Sequence, residues 1–182
     1  MKEQYTKQNF NTGKTTSRNC SLALIVGQAP PEKKYKLPFG KTRLYKWFKQ
    51  IGLSEEYIIQ NFEFEALVNK FPGKSSNGHK IPNSIDIQKH LPKILKKLKN
   101  NKIKVMIPVG KLAIQYTLDD HNIELKDIIG KKVFSKAFGK SDDIITIIPL
   151  PHPSGLSTWV YDDNNGKLLA LALELIKSET IH

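Results

Sequence analysis

The stretch Ile144-Ile145-Thr146-Ile147-Ile148-Pro149-Leu150-Pro151-His152-Pro153-Ser154-Gly155-Leu156-Ser157 decides how this chain folds. A β-branched run from Ile144 to Ile148 predicts a strand buried on both faces, as in a parallel sheet, and the two prolines that follow are read as its end. His152 is then delivered at a strand's carboxyl end, the edge at which open α/β sheets bind ligands. Pro151 and Pro153 restrict the backbone on either side of it. An isolated His-Pro pair fits a stiff surface loop better, since short motifs recur without function. A second stretch, Val26-Gly27-Gln28-Ala29-Pro30-Pro31, changes the balance, because it too ends an apolar run in glycine and prolines.

Outward from these stretches, apolar runs alternate with helical patterns. Leu22 to Val26 predicts the first strand, with Gly27 allowing close backbone approach. From Lys41 the period changes: Leu44, Trp47, Phe48 and Ile51 mark an amphipathic helix that Gly52 can end. Between them lies Lys36-Leu37-Pro38-Phe39-Gly40, where Phe39 is either a plug beneath the helix or an aromatic face for a ligand. Phe62, Phe64, Ala66 and Val68 alternate with Glu63 and Glu65, giving a second strand with one more polar face. Lys70 to Pro82 reads as a polar loop, able to reach phosphates or to remain a surface excursion. Ser84 is the expected cap of the next helix, with Ile87, Leu91, Ile94, Leu95 and Leu98 on its apolar face and Pro92 bending or delaying it. Ile103 to Val109 is the third strand, Gly110 leads into another helix, and Asp127 to Phe138 is a basic connector over a sheet edge. Asp162, Asp163 and Asn164 are candidate caps for the last helix. The expectation is an α/β domain over 21–182: a three-layer α/β/α sandwich with a mainly parallel four-stranded central sheet, preceded by a polar tail over 1–20.

Composition narrows the function classes. The 182 residues suffice for one domain with a substantial core. No apolar run approaches the ~20 residues of a spanning helix, and Met1 to Thr16 has no apolar signal region. A single cysteine, Cys20, excludes an intrachain disulfide and an all-cysteine cluster, and suits a reducing cytoplasm. The net charge of +12 favours a polyanionic partner, nucleic acid before membrane, although a lysine-rich surface alone gives the same number. His79, His90, His121 and His182 are scattered and read as surface residues rather than metal ligands.

Taken in order, several segments resemble the uracil-DNA glycosylase superfamily over nearly the whole length. Val26-Gly27-Gln28-Ala29-Pro30 is similar to its water-activating motif, and Leu37-Pro38-Phe39-Gly40 to its base-stacking segment. Val109-Gly110 followed by Ala113 resembles its penultimate strand and helix, and His152-Pro153-Ser154-Gly155-Leu156-Ser157 its DNA-inserting loop. The resemblance implies a monomeric, metal-independent repair enzyme without cofactor, acting on DNA that carries a damaged base, uracil first, and leaving an abasic site. It implies His152 and Gln28 as catalytic residues, and Gly27, Ala29, Phe39, Glu65 and Ala66 around the base. Pro30, Lys74, Ser75, Pro153, Ser154, Gly155, Leu156 and Ser157 are the implied DNA contacts, with Leu156 as the apolar wedge.

The departures from the family pattern are chemical. Ala29 stands where the best-known branch has its catalytic aspartate, and Gln28 where the iron-sulfur branch has glutamate. The asparagine that reads uracil in many members falls near Ala66, beside Glu65. Gln28 can orient water but cannot take its proton. Three readings stay open: Glu63 or Glu65 supplies the carboxylate, backbone and His152 support slow excision, or the protein binds DNA or excises a deaminated base other than uracil. An unrelated nucleotide-handling α/β protein is the remaining rival, and no GxxxxGK[ST] or GxGxxG pattern supports it.

Overall fold

Strand β1 (Ala23–Gly27) sends Ala23 and Ile25 into one apolar cluster and Leu24 and Val26 into another, so both faces of the sheet are covered. The computed structural model describes residues 22–33, 37–39, 43–76, 78–154 and 158–181; the tail with Cys20, Gly40, and the trio Gly155, Leu156 and Ser157 lie outside the described residues. The first cluster holds helix α1 (Arg43–Gln50), helix α2 (Glu55–Asn61) and helix α6 (Asp163–Thr180) through Leu44, Phe48, Ile58, Leu169, Ala172 and Ile176. The second holds helix α3 (Ser84–Asn100) through Ile87, Leu91, Ile94 and Leu98. The chain is therefore an α/β protein with a three-layer arrangement.

The central sheet has five strands in the order β2-β1-β5-β7-β6. Strands β2 (Phe62–Ala66), β5 (Val105–Pro108) and β7 (Ile144–Ile147) run parallel to their neighbours in the series with β1, while β6 (Val133–Lys136) is antiparallel to β7 at the edge. The four-stranded expectation is thus short by one. β6 lies inside the segment read as a basic connector, and it escapes detection because an edge strand with burial alternating at every residue carries only Val133 and Ser135 on its inner face. Helix α4 (Lys111–Leu118) and the single turn α5 (Leu125–Ile128) precede it. A small antiparallel hairpin, β3 (Lys74–Ser75) with β4 (Gly78–His79), stands inside the segment read as an irregular loop.

Several local expectations are corrected by the hydrogen bonds. Pro149 does not end the pairing of β7: the N–H groups of Ile148 and Leu150 still donate to Met106 and Pro108, at 2.9 Å each. Pro149 falls between them, facing the side that β6 has already left, so its missing N–H costs no ladder bond. β7 is not buried throughout, because Ile144 at its start is 64% exposed. Asn83, not Ser84, caps α3, its side chain accepting from Asp86 N at 2.8 Å, and the helix runs on through Pro92. Of the three candidate caps before α6, Asp162 accepts from Asn164 N and Asn165 N. No helix among the described residues is long and apolar enough to cross a membrane.

This topology places the site. After β1 the chain turns to β2 on one side, and after β5 it turns to β7 on the other, so the crevice between the carboxyl ends of β1 and β5 is the switch point of the sheet. Gly27 to Pro31 and Val109-Gly110 emerge on either side of it, and Leu150, bridged to Val109, brings in the His152 loop.

Candidate active site

A cavity of about 220 Å3 opens at that edge, lined by Gly27 to Pro31, Phe39, the His152–Ser154 turn and the base of the β3–β4 hairpin. It is smaller than the ~300–1,000 Å3 of sites for drug-sized ligands, which suits one nucleobase better than a dinucleotide. Its wall is mainly apolar with a few polar groups, as small-molecule sites generally are.

Phe39 is placed by constraint. Its backbone has φ of 59°, an arrangement rare for a bulky residue and costing on the order of 1–3 kcal/mol. Tyr45 of α1 donates from its hydroxyl to Pro38 O at 3.0 Å, holding the preceding residue, and Phe64 meets the Phe39 ring edge to face at 5.8 Å. Burial first, and Glu55 second, push the Tyr45 phenol up to about 12, so it stays a donor at any ordinary pH. Gly27 completes the seat: a Cβ there would lie 2.5 Å from Phe39 Cε1, so only glycine lets this ring lie against the end of β1.

His152 is held from two sides. Its Nδ1 accepts the backbone N–H of Ser154 at 3.2 Å. A ring nitrogen that accepts carries no proton, so in the neutral imidazole the proton sits on Nε2. Burial in the crevice first, and the neighbouring His79 second, hold the imidazole below its ordinary value of 6.5 and favour that neutral form. On the other side Gly110, with φ of 91°, lies against the ring; a Cβ at 110 would sit 3.1 Å from His152 Cδ2. The residue as a whole remains exposed at the mouth, so a ligand can reach it.

The other expected site residues divide. Gln28, Ala29, Pro30, Pro153 and Ser154 line the cavity with Gly27, Phe39 and His152. Glu65 and Ala66 line instead a neighbouring recess of about 250 Å3, which shares Pro30, Pro31 and Phe39 with the first. Burial alone would raise the Glu65 carboxyl, but Lys97 at 2.9 Å and Lys93 at 3.3 Å outweigh it and hold the group below 4.5. His90 Nε2 stands 3.6 Å away. Lys97 also bonds Glu63 at 3.1 Å, so both glutamates of β2 face α3. Lys74 and Ser75 sit exposed on the hairpin, Lys74 paired with Glu32 at 2.9 Å.

Phe71, Pro72, His79 and Lys80 line the cavity as well, and composition did not point to them. The available signal was position: Phe71-Pro72-Gly73 follows the carboxyl end of β2 just as Gly27 to Pro31 follows β1. His79 is exposed, as expected, and also lines the mouth of the cavity, whereas His90 is corrected from a surface residue, being 8% exposed beside Glu65. His121 stacks edge-on with Tyr116 at 5.0 Å. Among the described residues no three His, Cys, Asp or Glu side chains are grouped to hold a metal.

Comparison with curated proteins returned no matching relative. The family model described as Uracil DNA glycosylase superfamily matches residues 17–177, which takes in both strand-end loops, the aromatic segment and every strand of the sheet. With that span matched and its two motif loops meeting at one cavity, the chain belongs to the uracil DNA glycosylase superfamily.

Proposed function

We propose that the protein is a monofunctional DNA glycosylase that extrudes a damaged base, uracil first, into the 220 Å3 cavity and hydrolyses its N-glycosidic bond, leaving an abasic site. The observation that carries this reading is the His152 geometry: a backbone N–H on Nδ1 leaves Nε2–H as the donor beside a cavity walled by Phe39. As the glycosidic bond breaks, negative charge grows on the base, and a preorganised donor at its oxygen stabilises that charge by ~3 kcal/mol.

The remaining roles follow from chemistry. Extrusion costs a few kcal/mol of stacking and pairing, offset in part by the Phe39 face and by Leu156 as wedge in the vacated stack. Gln28 orients the attacking water through its amide. In this reading Pro30, Pro153, Ser154, Gly155 and Ser157 contact the DNA backbone, joined by Lys74 and Ser75 from the hairpin, and the motif resemblance supports it. The enzyme acts as a monomer, in the cytoplasm where DNA is the substrate, and no cofactor enters the proposed chemistry. The +12 charge supports DNA as the partner and makes binding strongly salt-dependent.

The test is release of free base from single- and double-stranded oligonucleotides carrying uracil, with hypoxanthine and xanthine in parallel. Release of uracil is the expected result; release of hypoxanthine or xanthine alone keeps the reaction and changes the substrate. Tight, salt-sensitive binding with no base released from any of them would instead leave a DNA-binding member of the superfamily.

A further inference from the structure

Gln28 and Ala29 leave the hydrolysis without a proton acceptor, and the cavity narrows where one can come from. Its described lining contains three ionisable side chains, His79, Lys80 and His152. A lysine ammonium has donors only. His152 has its Nδ1 taken by Ser154 and its Nε2–H turned to donation. Glu32 is paired with Lys74, and Glu65 is held by Lys97 and Lys93 in the adjoining recess. The undescribed positions inside the site loops, Lys34-Tyr35-Lys36, Gly40-Lys41-Thr42 and Gly155-Leu156-Ser157, contain no Asp or Glu.

His79 lines the cavity from its solvent-exposed rim. It ends β4, opposite Lys74, and the N–H of Lys80 donates to Gly73 O at 3.0 Å to close the hairpin's base. Its ring meets Phe71 edge-on at 4.9 Å and 90°, so the two side chains form one wall. The Lys74–Glu32 pair ties that wall to the loop carrying Gln28.

We propose that His79 is the general base of this hydrolysis, set in the same cavity as Gln28 and His152 by the β3–β4 hairpin. The role rests on the glycosylase reading above. His79 takes one proton from a water that Gln28 orients, and the water oxygen bonds to C1′ of the deoxyribose. The C1′–N bond breaks, and its electron pair leaves with the base, held by His152 Nε2–H. The proton on His79 then passes to the departed base, giving neutral base and an abasic sugar with no further reactant.

The experiment is single-turnover release of uracil from a single-stranded oligonucleotide at saturating protein, for the wild type, His79→Ala and His79→Gln, with oligonucleotide affinity measured alongside. His79→Ala is expected to lower the saturated rate by about 100-fold, the ordinary worth of a positioned base, with affinity little changed. Imidazole added to the buffer restores part of the His79→Ala rate, which a merely structural loss would not permit. His79→Gln stays slow, because an amide orients water without taking its proton. A saturated rate that neither variant lowers, or a loss confined to affinity, would overturn the role. So would a protein–DNA species that survives denaturation in the wild type and is lost in His79→Ala, since it would place His79 on C1′ itself. Wild type that releases no base from uracil, hypoxanthine or xanthine oligonucleotides overturns the glycosylase reading and this role together, whereas active wild type with unimpaired variants overturns this role alone.

Discussion

Two recesses lie side by side at the carboxyl edge of the sheet, divided by Phe39 and Pro30-Pro31, and they differ in charge. The one beside Gln28 has imidazoles and an amide but no described carboxylate. The one beside Glu65 has a carboxylate, 9% exposed, already bonded to Lys97 and Lys93. A carboxylate stabilised by two ammonium groups is a weak base, and its bonds join strand β2 to helix α3. The contrast teaches that having a glutamate within a few residues of the site is not having a catalytic carboxylate. Phe39 stands between the two recesses and lines both.

The sharpest way to break the contrast is through the first recess. His152→Ala removes the donor assigned to the leaving base and should lower single-turnover base release by about 100-fold; an unchanged rate would strip His152 of its role. Gly110→Ala should come next, at roughly 10-fold, because a displacement near 1 Å at a reacting group can itself cost ~100-fold. The new methyl presses on His152 Cδ2, and the φ of 91° strains any side chain, so the melting temperature should fall too, by an amount equivalent to ~1–3 kcal/mol. A lower melting temperature with an undiminished rate would show that Gly110 does not position the imidazole.

The second recess should respond in the opposite sense. Glu65→Gln is expected to destabilise the fold by about 1–3 kcal/mol while base release is little changed. A rate collapse with intact stability would make Glu65 part of the chemistry and merge the two recesses. The pH dependence carries the same signature. The Glu65 carboxyl is lowered in the folded protein, so its contribution is fully present above the ordinary 4.5 and disappears as pH falls through the depressed value. The acid-side loss of stability should therefore be smaller in Glu65→Gln than in the wild type, as denaturant titrations at several pH values can measure. The His152 imidazole is lowered as well, so the neutral form predominates at pH 6.5; an NMR titration midpoint above 6.5 would contradict that placement. Smallest of all, Lys74→Ala removes an exposed cation and should reduce the salt slope of DNA binding by about one.

Much of this was legible in the chain because it depends on local patterns. The apolar runs at Leu22–Val26, Ile103–Val109 and Ile144–Ile148 name the inner strands, and glycine with prolines at their ends names the loops that meet. Helix α2 was not read, since seven residues with only Ile58 buried carry little periodicity. β6 was missed for the same reason at an exposed edge. The partition of the site was hidden for a different one: whether Glu65 faces Gln28 or Lys97 depends on where α3 docks on β2, and no spacing within β2 encodes that. His79 reads like any histidine in a polar loop, and only the two-residue pairing of Lys74 with His79 and Ser75 with Gly78, which no spacing encodes, sets it beside Phe71 at the cavity mouth.

The most direct test is a crystal structure of the protein with a single-stranded oligonucleotide whose uridine glycosidic bond resists hydrolysis. The flipped uracil should lie on Phe39, between the turns that begin at Gly27 and Pro151, with a base oxygen within hydrogen-bond reach of His152 Nε2. A uracil left outside that cavity, with His152 touching only backbone phosphate, would contradict the account.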